Sequence, residues 1–225
     1  MTRAARHVTD VRDDRQEGPA DVPHPTSTDL LVLHTLRCMG FTVLARVAEA
    51  SGLPEADAES ELIDLAVAGL VTHTPGDFGG WGLTEAGRAA DAERISAELD
   101  AAGARAAVAA AYDAFLPLNV ELLDLCGAWQ TRSAGGVLTL NDHTDIAYDS
   151  RVLDRLTDFD RRADAVLAGL AAAMPRFRRY RVRLTGALTR VKAGEPEYVT
   201  DSMASYHTVW FQLHEDLLVT LGIPR

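Results

Sequence analysis

Chain-breaking residues between Asp29 and Arg88 constrain this chain more than any other feature. Gly40 closes an amphipathic stretch that carries Leu30, Leu31, Leu33, His34, Leu36 and Arg37. Thr42 is placed to cap a second helix over 43–50, with Leu44, Val47 and Ala48 inward. Ser51-Gly52 makes a turn, and Pro54 takes a first helical position followed by acids that suit a helix N-terminus. The third helix, over 54–69, buries Ala58, Leu62, Leu65 and Ala66. Two β-compatible pieces, Val71–Thr74 and Trp81–Leu83, flank Pro75-Gly76-Asp77-Phe78-Gly79-Gly80, which reads as a hairpin with a glycine-rich tip. Thr84 caps the helix that follows.

Helix, helix, turn, helix, two-stranded wing, helix is the order of a winged helix-turn-helix. The sequence resembles the MarR-like winged-helix family in three places. They are Val47-Ala48-Glu49-Ala50-Ser51-Gly52-Leu53-Pro54, Leu65-Ala66-Val67-Ala68-Gly69-Leu70-Val71 and Leu83-Thr84-Glu85-Ala86-Gly87-Arg88. The resemblance implies a transcriptional regulator and covers residues 29–95 only.

The remainder is helical. An alanine-rich run over 85–115 has a break at Gly103 and ends at Pro117, and an amphipathic helix covers 118–131. Residues 132–147 read as a loop and 148–173 as a long helix. A basic helix over 176–193 and a final helix over 200–221 follow. The expected fold is mainly α: a winged helix-turn-helix with a small β-wing at 29–95, then a helical sensing or dimerisation bundle at 96–225. Residues 1–28, polar and carrying Pro19, Pro23 and Pro25, read as a disordered tail. The last helix, Ser205 to Leu218, is similar to that of actinobacterial regulatory proteins, some adjacent or fused to pyruvate phosphate dikinase-like proteins. That resemblance implies regulation and a phosphotransferase partner.

Charge separates shape from function. The chain carries a formal net charge of −11, and residues 27–95 hold four basic against eleven acidic residues. A helix that reads the major groove needs donors for base edges and phosphates. The third helix instead presents Glu55, Asp57, Glu59, Glu61 and Asp64, with no Arg, Lys, Asn or Gln. Duplex DNA carries about one negative charge per 1.7 Å, so these carboxylates add repulsion. MarR-like proteins that bind DNA usually keep basic residues here and an Arg at the wing tip; this chain has neither. The third helix is then a solvated packing element or a protein-binding face. The clustered cations lie elsewhere, as Arg176, Arg178, Arg179, Arg181, Arg183, Arg190 and Lys192, over an apolar stripe. They form either an anion or partner site, including a dock for an acidic third helix across a homodimer, or a face that answers acids such as Asp154, Asp158, Asp160 and Asp164.

Trp129, Asp142, His143, Tyr206, His207, Trp210 and His214 are the candidate wall of an effector pocket, or else core. His207 and His214 are seven apart, about 10 Å by helical rise, too far to chelate one ion. No nucleophile motif or phosphate loop occurs, so neither catalysis nor a metal or cofactor is expected. No run reaches 18 uninterrupted apolar residues, the arginine-bearing N-terminus lacks an apolar segment, and the cysteines are only Cys38 and Cys126. These observations predict a cytoplasmic protein with no membrane segment. Two functions fit, an effector-responsive transcriptional regulator or an accessory protein that uses the acidic winged helix to bind another protein. Behind them stands a small-molecule-binding or enzymatic helical bundle built around His143, His207 and His214.

Overall fold

The structure, a computed structural model, describes residues 26–134 and 136–224. It is mainly helical, with two small antiparallel two-stranded sheets. Helices α1 (Thr28–Met39), α2 (Leu44–Ser51) and α3 (Glu55–Val67) precede a hairpin of β1 (Val71–Thr74) and β2 (Gly80–Leu83). Helix α4 (Glu85–Ala101) leads out, capped by the Thr84 hydroxyl, which accepts from the Gly87 amide at 2.9 Å. Helix α5 (Arg105–Gln130) packs against α6 (Ile146–Ala173), and a second hairpin, β3 (Thr131–Ala134) with β4 (Val137–Leu140), joins them. A short 3-10 turn, Pro175–Phe177, enters α7 (Arg178–Lys192), and α8 (Tyr206–Leu221) packs beside α7.

Several expectations are corrected. Thr42 does not cap α2; its backbone pairs with Trp81, donating at 3.0 Å and accepting at 2.7 Å, so the segment before α2 extends the hairpin. Pro117 lies inside α5 instead of ending it. Proline removes one donor to the carbonyl four residues back, and both Pro117 and Asp113 are exposed, so water can satisfy that carbonyl. The expected loop over 132–147 contains the β3–β4 hairpin, registered Thr131↔Leu140 to Ala134↔Val137. The last helix begins at Tyr206, where Ser205 accepts from the Thr208 amide. Of the expected disordered tail, residues 1–25 lie outside the described residues, while Thr28 already belongs to α1.

Two apolar cores form. Val32, Leu33 and Leu36 of α1 pack with Val47, Leu62, Leu65, Val71 and Trp81. The larger core joins α4 to α8 and includes Phe115, Phe159, Tyr206 and Trp210. Helix α4 crosses the expected boundary at 95/96 without a break, burying Ile95 and Leu99 on either side of the join. Helix α5 reaches the length and mean hydropathy (1.3) that could cross a bilayer, which a search for uninterrupted runs misses. Its inward side, Val108, Phe115, Leu122, Leu125 and Trp129, lies in the larger core, while Leu116, Val120 and Leu123 face outward.

Gly87 sets how closely α4 approaches the end of α3. A Cβ there would lie 1.9 Å from the Leu70 carbonyl oxygen, a backbone atom with little freedom to yield. Gly87→Ala is expected to destabilise by about 1–3 kcal/mol, despite the better helix propensity of alanine. Urea unfolding measures this; a stabilised variant would show the contact to be loose.

Candidate functional site

The basic helix turns most of its cations inward. Positions 176, 179 and 183 share one side of the helical path, facing α8 and α1, while 178 and 181 lie toward α6. Arg176 donates through Nη1 to Asp216 Oδ1 at 2.6 Å and through Nη2 to Thr220 Oγ1 at 2.6 Å. Its Nε stands 3.3 Å from Glu98 Oε2, an ion-pair distance without hydrogen-bond alignment. Arg179 donates to Asp216 Oδ2 at 2.9 Å and to Thr35 Oγ1 at 2.8 Å. Arg181 forks onto Asp160 at 2.8 and 3.1 Å and reaches Asp164 at 3.1 Å. Arg183 donates to Gln212 Oε1 at 2.6 Å, and Arg178 is exposed. The cations thus chiefly answer the chain's own acids. Asp160 and Asp164 belong to the expected set; Asp216 and Glu98 do not.

Asp216 is the centre of a buried network. Oδ1 accepts from Arg176, from Thr220 at 3.0 Å and from His34 Nε2 at 3.0 Å; Oδ2 accepts from Arg179 and from the Tyr180 hydroxyl at 2.8 Å. His34 Nδ1 meets Asp91 Oδ1 at 2.9 Å, so the imidazole bridges two carboxylates. Burial alone would keep His34 neutral. The Cys38 sulfur, Asp216 and Asp91 outweigh it and hold its pKa well above the ordinary value. Burial likewise disfavours ionised Asp216, yet Arg176, His34 and Arg179 hold its pKa well below the carboxylate range. Three cations (His34, Arg176, Arg179) therefore meet three carboxylates (Asp91, Glu98, Asp216) on α1, α4, α8 and the start of α7. This polar seam lies between the two apolar cores.

Two chemistries can be weighed here. His34 Nε2, Cys38 Sγ and Asp216 Oδ1 lie within 4.8 Å of one another, a donor set that suits a transition metal. A carboxylate offers about four lone-pair sites, and the donors above already take them. A cation would have to displace an arginine or the histidine proton. Cys38 Sγ is 3.6 Å from Nε2, and Asp91 orients Nδ1, the order of a nucleophile, base and orienting acid. An imidazolium has no lone pair with which to take the thiol proton, and Cys38 is buried. The arrangement holds helices in register.

The acidic helix faces solvent. Glu55, Asp57, Glu59 and Asp64 are exposed, and half-buried Glu61 accepts from the Thr28 hydroxyl. Between the acids runs an exposed line of Ala56, Ser60, Ile63 and Val67, the last 85% exposed. The hairpin tip presents Phe78, 98% exposed.

The expected effector pocket divides into three places. His207, Trp210 and His214 line a cleft of about 230 Å³ with Asn119, Leu122 and Leu123. Burial pushes the pKa of His207 down, so it is neutral at pH 7. Trp129 packs against His143 with its ring tilted (centroids 4.4 Å apart) at the β3–β4 hairpin, where His143 meets Asp149 at 2.9 Å and Asp142 accepts from Arg132 at 2.9 Å. Tyr206 is core and donates to Asp160 at 2.9 Å. One helical face had grouped His207 with His214, but neither the hairpin nor Tyr206 opens into their cleft.

His34, Asp91, Glu98 and Asp216 were missed as a group. The available signal was polar residues at buried helical positions: His34 inside Leu30–Leu36, and Asp216 beside Leu217-Leu218. No protein-family model matches the chain, and no curated protein or solved structure matches it.

Proposed function

We propose that this chain is a cytoplasmic regulatory protein whose residues 29–95 form a MarR-like winged helix that binds a basic protein surface through α3 instead of DNA. The solvent-facing side of α3 carries the reading: four exposed carboxylates flank an exposed line ending in Ile63 and Val67. An apolar line with acidic flanks matches a partner with an apolar ridge and basic flanks, and it repels phosphate. The basic helix offers little compensation toward DNA, because Arg176, Arg179 and Arg181 are spent on internal carboxylates. Phe78 stands exposed at the hairpin tip, where an arginine would reach a minor groove. The phosphotransferase implied by the C-terminal resemblance is the first partner to try.

The test has two arms. The immobilised chain is expected to retain that partner at low salt and lose it as salt rises. Glu55→Gln/Asp57→Asn/Glu59→Gln/Asp64→Asn is expected to lose it at all salt concentrations. Duplex DNA from its own upstream region is expected to bind no tighter than nonspecifically, with Kd above about 1 µM. A tight, sequence-dependent DNA complex that survives the four substitutions would overturn the reading and restore the transcriptional regulator.

A further inference from the structure

The groove between α2, α7 and residues 196–205 encloses about 740 Å³, within the range of small-molecule sites. Two guanidiniums enter it from different helices, Arg46 from α2 and Arg183 from α7. The acceptors that both find are neutral: Arg46 donates to the Met203 carbonyl, and Arg183 to Gln212 Oε1 at 2.6 Å. Arg46 Nε is buried with no hydrogen-bond partner among the described residues. Arg183 is mostly buried, and its pKa is pushed below the usual range by burial first and by the Arg179 and Arg46 cations, a drop that Tyr180 and Glu49 only partly oppose. Neighbouring Arg190 differs: Glu195 pairs with it, and it stacks 4.1 Å from the Tyr198 ring centroid. Glu49 lines the groove but makes salt-bridge contact with neither Arg46 nor Arg183. A buried cation without a contacting anion is costly, and α7 carries this one beside four arginines that are mostly matched.

We infer that this groove binds a small organic oxyanion, its headgroup held between Arg46 and Arg183 and its apolar body along Ala187, Ala204 and Val209. The planar forks of two arginines suit a carboxylate, sulfonate or phosphate headgroup, and the groove walls beyond them mix the small apolar Ala187, Ala204 and Val209 with the Thr185, Thr189 and Ser202 hydroxyls. A bound anion bridges α2 to α7 and so fixes the α2–α3 turn against the bundle. The inference does not depend on what α3 binds.

The probe is 8-anilinonaphthalene-1-sulfonate, with uncharged N-phenyl-1-naphthylamine as the same ring system without the headgroup. Arg183→Gln and Arg46→Gln should each weaken sulfonate binding about tenfold and leave the uncharged probe unaffected. Glu49→Gln should strengthen it, because a competing carboxylate is removed. Displacement by phenyl phosphate or by benzoate then identifies the preferred headgroup. Unchanged sulfonate affinity in both arginine variants overturns the inference, as does displacement by neither competitor. Arg46 is partly exposed, so its variant keeps the test valid if Arg183→Gln fails to fold.

Discussion

Replacing Asp216 with alanine is expected to lower stability by about 3–5 kcal/mol, the largest single effect in the molecule. The carboxylate is fully buried and accepts from Arg176, Arg179, His34, Tyr180 and Thr220. Removing it leaves Arg179 without a carboxylate and leaves Arg176 and His34 with only Glu98 and Asp91 in a dry environment, and that lost counter-charge sets the size of the loss. Asp216→Asn keeps the shape but offers one acceptor oxygen, and should fall between wild type and alanine. Urea unfolding followed by tryptophan fluorescence reads both, since Trp81 and Trp210 sit in the two cores. A loss below about 1 kcal/mol would mean that water reaches the network and screens it.

The second large effect is a pH-dependent loss on replacing His34. His34→Gln should cost about 3 kcal/mol near pH 6, because Asp91 is left buried without its cation. His34 has a folded pKa raised above the ordinary 6.5, so its contribution is complete below 6.5 and is lost as pH rises through the raised value. Asp216 has a folded pKa held below 3.8, so its contribution is complete above 3.8 and is lost as pH falls through the lowered value. The network is therefore strongest between 3.8 and 6.5. The gap between wild type and His34→Gln should narrow as pH climbs above the raised value. His34→Leu/Asp91→Leu should recover most of the loss, since an apolar pair of similar size strands no charge. A gap that stays constant with pH would mean that His34 is not the proton carrier.

Local punctuation made much of the helical layout legible. Gly40, Ser51-Gly52, Pro54 and Thr84 mark ends that depend on backbone geometry within a few residues, and α1 and α2 end, and α3 and α4 begin, beside them. Pro117 was over-read because its effect depends on whether the affected carbonyl faces water, which is a tertiary fact. The β3–β4 hairpin was missed although Gly135-Gly136 stands between Thr131 and Leu140, a two-residue signal obscured by polar neighbours. The acidic face of α3 was readable by residue type alone. The Asp216 network was not, because its members lie 40, 57 and 144 positions apart along their contacts and meet only after α1, α4, α7 and α8 assemble. Similarly, charge counting found the arginines, but only packing separates those with an internal carboxylate from Arg46 and Arg183.

The polar seam also decides how far either part of this protein is portable. Cutting the chain near residue 95 would remove Asp216, Arg176 and Arg179 from His34 and leave the histidine–Asp91 pair at a raw surface. The N-terminal part would lose the counter-charges that its first helix was built around, and the C-terminal part would expose two arginines and their two carboxylates, Glu98 and Asp216, at its own raw face. Shape alone would mark residues 29–95 as a unit to be grafted onto another protein. The matched charges make the two parts a fitted pair, inherited and engineered together.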